Sequence, residues 1–191
     1  MDGTGSGDTR ARIQRVAMEL FTEQGYEKTA LREIAELLGV TKAALYYHFK
    51  SKEEIVDSFI SDSMAQLDEL VAWFVKQPRT PEIRREFLLR YAATMDTKRQ
   101  HALMRFFESN QAAMRGLSAG LKVRERLMAI LDMMAEPGAS PADRLRAALS
   151  VWVLHVSWFL LRDADVTDED RHAAALDVAL ELVDAASARA R

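Results

Sequence analysis

The stretch that most constrains this chain runs from residue 29 to residue 52, with the sequence TALREIAELLGVTKAALYYHFKSK. In its first half, four apolar residues follow the i, i+3, i+4, i+7 spacing of one helix face, namely Leu31, Ile34, Ala35 and Leu38. Gly39 can take the left-handed conformation that ends a helix, and Thr41 is a good N-cap for a second helix over 42–48. Two helices joined by a short turn that contains glycine form a helix-turn-helix unit.

The second of these helices carries side chains that suit DNA. It combines cations with hydrogen-bonding rings, at Lys42, Tyr46, Tyr47, His48, Lys50 and Lys52. Leu45 and Phe49 lie four residues apart and can face inward. Ala43 and Ala44 are small, so the helix could enter a major groove, which is just wide enough for a helix. An amphipathic helix pair in an ordinary bundle would show the same periodicity, which therefore leaves both interpretations open.

The order of residue types favours DNA binding. The segment GYEKTALREIAELLGVTKAALYYHFKSKEEI resembles the N-terminal DNA-binding domain of TetR-like (tetracycline-repressor-type) transcriptional regulators. The matching features extend from Ile13 to about Ile55 and include Ile-Ala, Leu-Gly-Val, Leu-Tyr-x-His-Phe and Ser-Lys-Glu. The resemblance implies a homodimer that places the helix over 42–48 of each subunit in successive major grooves of a palindromic, double-stranded operator.

The resemblance also implies roles for individual positions. Contacts to base edges or to the groove are expected from Lys42, Ala43, Tyr46 and Tyr47. Contacts to phosphate are expected from Arg32, Thr41, His48 and Lys52. The phosphate contacts would position the protein on the duplex, and the base contacts would select the sequence.

The charge distribution and the absence of cysteine restrict the possible kinds of functional site. The 191 residues have a formal net charge of −3, yet residues 9–52 hold eight Lys or Arg and five Glu. Attraction for phosphate is therefore expected at the N-terminal part of the chain rather than over its whole surface. The chain contains no cysteine, which excludes disulfides, thiolate metal sites and cysteine catalysis.

Composition and helix-start signals predict an all-α protein of about nine helices, since Ala, Leu, Arg and Glu dominate while Pro and Gly are sparse. A disordered leader, 1–8, would precede a three-helix helix-turn-helix domain, 9–52, and a helical ligand-binding and dimerisation bundle, 53–191. The predicted N-caps are Thr41, Ser51, Thr80, Ser140 and Thr167. The predicted helices span about 9–24, 31–38, 42–48, 52–75, 81–95, 98–109, 116–135, 141–161 and 168 almost to the C-terminus.

The middle of the chain is rich in methionine and aromatic residues, which adapt to irregular apolar partners. A cavity among these helices would suit an apolar or amphipathic ligand, although an ordinary core has the same composition. The resemblance implies that this region binds a small effector that releases the protein from DNA. The candidate lining residues are Trp73, Tyr91, Phe107 and Trp152.

The last two predicted helices are candidates for self-association. The helix over 141–161 is apolar nearly all round, and such a helix must be buried on all sides. A homodimer would bury it, and so would a core within one chain. The resemblance implies dimerisation through the last two helices, for which the candidate residues are Leu149, Val156, Leu176, Leu180 and Val183.

A metalloenzyme and a helical scaffold are the two alternative classes of function. Glu169-x-x-His172 has the spacing of half of a di-iron site in a helical bundle, but no other histidine follows a Glu by three residues. We therefore expect no metal, no cofactor and no catalytic residue. A helical adaptor or scaffold would explain the C-terminal part but not the cations and tyrosines of 42–52.

Membrane and secretory signals are weak. The N-terminus has no apolar signal-peptide core. The most apolar stretch, 147–161, is interrupted by His155 and Ser157 and is shorter than the roughly 18 residues of a membrane span. We expect a cytoplasmic protein with no membrane partner.

Overall fold

The computed structural model describes residues 4–95, 98–161 and 165–188. Over these residues the chain is helical and contains no strand, which confirms the predicted all-α fold class. Ten helices follow one another: α1 (Thr4–Gln24), α2 (Leu31–Leu38), α3 (Lys42–His48), α4 (Lys52–Val75), α5 (Pro81–Met95), α6 (Lys98–Ser109), α7 (Gln111–Gly116), α8 (Ser118–Met134), α9 (Pro141–Leu160) and α10 (Asp168–Ala188).

Side-chain caps begin five of the helices, each at the residue predicted from the sequence. The backbone N–H three residues further on donates to the hydroxyl oxygens of Thr41, Ser51, Thr80, Ser140 and Thr167, over 3.1, 3.1, 3.3, 3.2 and 3.0 Å. Each cap satisfies one of the backbone donors that have no partner inside the first turn of a helix. The starts of α3, α4, α5, α9 and α10 are therefore encoded locally.

The structure differs from the prediction at two places. The segment 111–116 forms the short helix α7, which raises the number of helices from the predicted nine to ten in the described residues. A Cβ atom at Gly120 would overlap the carbonyl of Met114, so α7 packs against the start of α8 only because position 120 has no side chain. The helix α1 begins at Thr4, earlier than the predicted residue 9, and residues 1–3 of the predicted leader lie outside the described residues.

The helices group into two compact units. The first unit contains the residues up to Met64 and Lys98–Lys122, and so includes α1–α3, the beginning of α4, α6, α7 and the beginning of α8. The second unit contains Ala65–Thr97 and the residues from Val123 onward. The segment 9–52 lies within the first unit, together with helices that are distant from it in the sequence.

The core of the first unit draws on α1, α2, α3, α4 and α6. Its fully buried side chains include Ile13, Ala17, Phe21, Ile34, Leu45, Phe49, Ile55 and Phe106. The ring of Phe21 in α1 lies 5.2 Å from that of Tyr26 and 6.2 Å from that of Phe106 in α6, measured between centroids. Aromatic packing therefore holds α6 against the end of α1.

The second unit is built on the α9–α10 helix pair, against which α5 packs. In α10, Ala175, Ala179 and Val183 follow an i, i+4, i+8 spacing and are all at most 5% exposed, so they form its inward stripe. The guanidinium of Arg84 in α5 is buried, and it is paired with the carboxylate of Glu136 in the loop before α9.

Among the helices that the structure describes, none is both long enough and apolar enough to cross a membrane.

Candidate nucleic-acid interface

The turn between α2 and α3 has the geometry of a helix-turn-helix unit. Gly39 ends α2 with a φ of +67°, in the left-handed region that favours glycine. The N–H groups of Gly39 and Val40 donate to the carbonyls of Glu36 and Ala35, over 3.1 and 3.0 Å. These bonds satisfy the last carbonyls of α2 and turn the chain directly into the Thr41 cap of α3.

One face of α3 is anchored and the opposite face is exposed. Leu45 and Phe49 are fully buried, as expected from their spacing. Lys42, Ala43 and Tyr47 are exposed, and 77% of Tyr47 is accessible to solvent. A large ring that is so exposed contributes little to the core, so its position on a short basic helix suits contact with a partner.

Tyr46 completes the group of residues for which base or groove contacts were predicted. Its side chain is half-buried, and the ammonium of Lys42, one turn earlier, lies 5.5 Å from the centroid of its ring. Lys42, Ala43, Tyr46 and Tyr47 therefore lie close together on one short helix. Their roles in DNA contact stay predictions.

The residues predicted to contact phosphate lie on α2, at both ends of α3 and at the start of α4. Thr41 is exposed and uses its hydroxyl as the cap of α3. His48 is half-buried, and its ring meets that of Tyr47 edge-on at a centroid distance of 5.3 Å. Arg32 is exposed on α2 and forms an ion pair with Glu36 over 3.3 Å, which is weak because both side chains are solvated.

Lys52 has a role that its sequence position did not reveal. Its ammonium donates to the carbonyl oxygens of Tyr26 and Glu27, over 2.6 and 3.3 Å, and lies 4.6 Å from the centroid of the Tyr26 ring. An ammonium has three N–H groups, so one is left for a phosphate after two carbonyls are bound. Lys52 thus joins the start of α4 to the segment between α1 and α2.

Two further cations stabilise the C-terminal end of α3, through contacts that the sequence did not predict. Arg10 in α1 donates to the carbonyl of His48 over 3.2 Å, and its guanidinium lies 4.3 Å from the centroid of the Phe49 ring. The ammonium of Lys50 donates to the carbonyl of Tyr46 over 2.5 Å. Cations at this end satisfy free carbonyls and oppose the helix dipole. The Arg10 contact joins residues 38 positions apart, so no local pattern indicates it.

In the second unit, two of the predicted effector-binding residues lie next to His155. The hydroxyl of Tyr91 in α5 and Nε2 of His155 in α9 are hydrogen-bonded over 2.6 Å. The ring of Trp152 lies 6.2 Å from that of His155. Burial raises the pKa of the Tyr91 hydroxyl above its usual value and lowers the pKa of His155 to about 4, so both groups are neutral at pH 7.

The other two predicted effector residues lie elsewhere. Trp73 in α4 contacts Phe74 at a centroid distance of 6.5 Å, and Phe74 and Phe87 connect it to Tyr91. Phe107 belongs to the first unit, where it packs against Phe106. Trp73, Tyr91 and Trp152 thus share the second unit, and Phe107 does not.

The predicted dimerisation residues divide into outward and inward positions. Leu149 is 39% exposed on α9, while Val156, Leu176 and Leu180 are half-buried. Val183 is only 1% exposed within the single chain, because it belongs to the inward stripe of α10. A side chain already buried in its own chain cannot reach a partner. Four of the five residues are therefore accessible.

Among residues 4–95, 98–161 and 165–188, no three His, Cys, Asp or Glu side chains are grouped so that they could hold a metal ion. Glu169 and His172, singled out by their spacing in the sequence, therefore have no third ligand among these residues.

The N-terminal segment of the chain, from within α1 to the beginning of α4, is similar to a known family. The sequence profile described as bacterial regulatory proteins, tetR family, matches residues 13–59. The chain is 34% identical over 99 residues to the HTH-type transcriptional regulator AcrR of Shigella flexneri, and the match covers 51% of this chain and 46% of AcrR.

A longer match connects the chain to a tetracycline repressor. The class A tetracycline repressor protein from Escherichia coli is 26% identical over 156 residues, which are 82% of this chain and 68% of the repressor. The first curated relatives are matched over less than half of their length, from 30% to 46%.

Solved structures share the fold over nearly the whole chain. The crystal structure of NalD, the secondary repressor of the MexAB-OprM multidrug efflux pump in Pseudomonas aeruginosa, has a TM-score of 0.69 at 20% identity and covers 95% of this chain and 94% of NalD. A tetR-family structure from Mesorhizobium loti has a TM-score of 0.62 at 18% identity and covers 97% of this chain and 98% of that protein. These likenesses establish the fold.

Proposed function

We propose that this protein is a tetR-family, sequence-specific DNA-binding transcriptional regulator that acts as a homodimeric, ligand-released repressor. The observation that carries the proposal is the exposed face of α3. Lys42, Ala43 and Tyr47 project from a short helix that the buried Leu45 and Phe49 hold in place. An α-helix fits the major groove, and its cations and hydrogen-bonding groups can reach base edges and phosphates there.

The names of the relatives support regulation, and repression in particular. The KstR2 protein of Rhodococcus jostii, 36% identical over 75 residues, is a transcriptional repressor, and NalD is also named a repressor. These names favour a regulator over an enzyme or a scaffold. A protein that binds DNA works where the DNA is, so we also propose a cytoplasmic location.

We assign DNA binding to the segment 9–52, and effector binding and dimerisation to helices within 53–191. The apolar outward face of α9 supports a homodimer, since Leu145, Leu149, Trp152, Phe159 and Leu160 are 39–73% exposed. Contiguous exposed apolar side chains of this kind mark interaction surfaces. In the proposed dimer the two α3 helices lie about 34–36 Å apart, one turn of the duplex, and meet a palindromic operator.

We propose that the effector is a small apolar or amphipathic molecule bound in the second unit near Trp73, Tyr91 and Trp152. Aromatic side chains would contact its apolar part, and the neutral Tyr91–His155 pair would offer it hydrogen bonds. The related SmeT has been solved as a complex with triclosan. An effector that favours the DNA-free state by a few kcal/mol, on the order of 5, would shift occupancy almost completely.

Selection from a pool of random duplex DNA at physiological salt tests the proposal. The purified protein is mixed with the pool, bound duplexes are amplified and sequenced over several rounds, and the binding constant of the recovered sequence is compared with that of a scrambled sequence. We expect a palindrome whose half-sites are about one helical turn apart, bound at least ~10³-fold more tightly than the scrambled duplex.

A second kind of result would contradict the regulator assignment. Binding that depends steeply on salt but not on sequence would show attraction for phosphate without base contacts. If it persists after the protein has been unfolded, freed of bound small molecules and refolded, the regulator assignment is wrong.

A further inference from the structure

A buried asparagine joins α6 and α7 to the beginning of the helix-turn-helix segment. Asn110 lies between α6 and α7 and is only 6% exposed. As the residue before α7 it occupies an N-cap position, where an asparagine side chain usually accepts a bond from the first amides of the helix that follows. It makes no such cap bond here. Its side chain instead turns toward α1.

The amide of Asn110 uses its acceptor and its donors within the first unit. Its Oδ1 accepts a hydrogen bond from the N–H of Tyr26 over 2.7 Å. Its Nδ2 donates to the carbonyls of Phe21 and Phe106, over 2.9 and 3.1 Å. Two of these partners are backbone groups 84 and 89 residues away in the sequence. A buried amide satisfied in this way specifies one arrangement, because any shift leaves a polar group without a partner.

Both the N–H and the carbonyl of Tyr26 are bound by side chains from other helices or connections. Its N–H is bound by Asn110, and its carbonyl accepts the hydrogen bond from Lys52 of α4. The preceding Gly25 has a φ of +92° and ends α1, while α2 begins at Leu31. The position of Tyr26 therefore determines where the chain leaves α1, and with it the position and direction of the α2–α3 pair.

We propose that Asn110 is a positioning residue for sequence-specific DNA contact. By fixing the Tyr26 backbone against the end of α6, it sets the orientation in which α3 meets base edges. This inference rests on the proposed function. It places a determinant of specificity about fifty residues beyond the segment 13–59 that the family profile matches.

The two kinds of DNA contact should respond differently to loss of Asn110. Hydrogen bonds to base edges require donor–acceptor distances within a few tenths of an ångström of about 2.9 Å. Attraction to the phosphates acts over roughly a Debye length, about 8 Å at physiological salt, and tolerates small rotations of the helix. A misplaced α3 should therefore lose specific affinity while it keeps non-specific affinity.

The experiment measures the ratio of affinities for the selected duplex and for a scrambled duplex of the same composition. Asn110→Leu removes the three hydrogen bonds at similar side-chain size, and Asn110→Ser is a milder form in case the leucine variant does not fold. Asn110→Gln keeps the acceptor for the Tyr26 N–H and the amide donors on a side chain that is one methylene longer, and serves as the conservative variant. Ile130→Ala is the matched control, since it truncates a core residue of the second unit.

We expect the ratio to fall about tenfold or more in Asn110→Leu, and by a smaller factor in Asn110→Ser, with affinity for the scrambled duplex changed less than about twofold. Asn110→Gln should retain more of the wild-type ratio than Asn110→Leu. Ile130→Ala should lower the thermal stability without changing the ratio, which separates positioning from general destabilisation. In both the leucine and serine variants the Tyr26 amide should exchange its hydrogen faster, because its acceptor is gone.

Two results would overturn the inference. The first is an unchanged ratio in Asn110→Leu or Asn110→Ser together with faster exchange at Tyr26, since the hydrogen bond would then exist without affecting base contact. The second is an equal fall in Asn110→Gln and Asn110→Leu when Tyr26 exchange in Asn110→Gln is as slow as in the wild type, since the hydrogen bond to Tyr26 would then be irrelevant to base contact. A wild-type protein without sequence preference is a distinct outcome, because it contradicts the proposed function and this inference with it.

Discussion

At the scale of single residues, the Tyr91–His155 pair shows how burial changes chemistry. Tyr91 and His155 are 64 residues apart in the sequence, and the hydrogen bond between the Tyr91 hydroxyl and Nε2 of His155 is 2.6 Å long. Burial disfavours the charged form of each group, which is why the pKa of His155 falls to about 4 and that of Tyr91 rises. The pair therefore presents neutral hydrogen-bonding groups in an aromatic environment.

Stability should fall in acid because of His155. Between pH about 6.5 and about 4, the unfolded chain binds a proton at this histidine and the folded protein does not, so the free energy of unfolding decreases as pH falls through this window. The contribution is at most about 3 kcal/mol. His155→Gln keeps a partner for Tyr91 but does not titrate at this position. Its free energy of unfolding, measured in urea, should differ less between pH 7 and pH 4.5 than that of the wild type.

The control for this measurement is Met128→Gln on α8, which introduces the same amide at an exposed position of the same unit and leaves every titratable group in place. Its difference in unfolding free energy between the two pH values should match that of the wild type. Equal differences in the wild type and His155→Gln would show that His155 does not contribute to the acid sensitivity.

Replacing the two lysines of the candidate interface should change DNA binding in different ways. Lys42→Ala should relax preference at particular bases, since Lys42 is exposed on the face of α3. Lys52→Ala should reduce the salt dependence of binding and weaken binding to every sequence, including the scrambled duplex whose affinity the Asn110 variants retain. Because the Lys52 ammonium binds the Tyr26 and Glu27 carbonyls, Lys52→Ala should also lower the thermal stability. Repeating the duplex selection with each variant tests this division, which identical sequence profiles would contradict.

At the scale of secondary-structure elements, the short α3 depends on its ends. It has seven residues, too few to be stable alone, and is held by the Thr41 cap, the cations at its C-terminus and two buried anchors. The same Thr41 is predicted to contact phosphate. Stability of the helix and affinity for DNA should therefore depend on one hydroxyl.

Replacing that hydroxyl should loosen α3. Thr41→Ala removes the cap, at a cost of about 1 kcal/mol, so the amides of α3 should exchange with solvent about fivefold faster in local opening. Thr41→Ser keeps a hydroxyl at this position and should exchange at nearly the wild-type rate. Hydrogen exchange followed by mass spectrometry measures both variants, and equal rates in Thr41→Ala and the wild type would exclude a stabilising cap.

At the scale of the whole molecule, the apolar face of α9 calls for a partner. The sequence suggested that this helix is buried on all sides, whereas in the single chain Ala147, Val151 and Leu154 are buried and the opposite face is open. Burying a Leu side chain contributes about 2 kcal/mol, so several such residues are enough to support association.

Charges on this face should break the proposed dimer. Leu145→Glu combined with Leu149→Glu places two carboxylates where the partner would pack, and isolated buried charges are strongly unfavourable. We expect a monomer in analytical ultracentrifugation and at least ~100-fold weaker binding to the selected palindrome, because each half-site would be bound separately. Arg79→Glu, an exposed change between α4 and α5, is the control. A double variant that stays dimeric would place the interface elsewhere.

The helical fold, five helix starts and the exposed residues of α3 were predictable because they depend on neighbours in the chain. A cap joins residue i to the amide of residue i+3, and periodicity determines which side chains share a face. Thr41, Leu45 and Phe49 illustrate this, since each was assigned from spacing alone and is found in that role. The short α7 was missed because six residues are too few for a periodic pattern.

Contacts between distant parts of the chain were decided only by the tertiary structure. The sequence by itself determined that α10 has apolar stripes, but not that Val183 faces inward, because the stripe is the same whether its partner is α9 or a second subunit. It marked Lys52 as a cation near the helix-turn-helix segment, but not the Tyr26 carbonyl that the ammonium binds. The Asn110 bonds join residues 84 and 89 positions apart, and such pairings depend on how the helices pack, which no local pattern records.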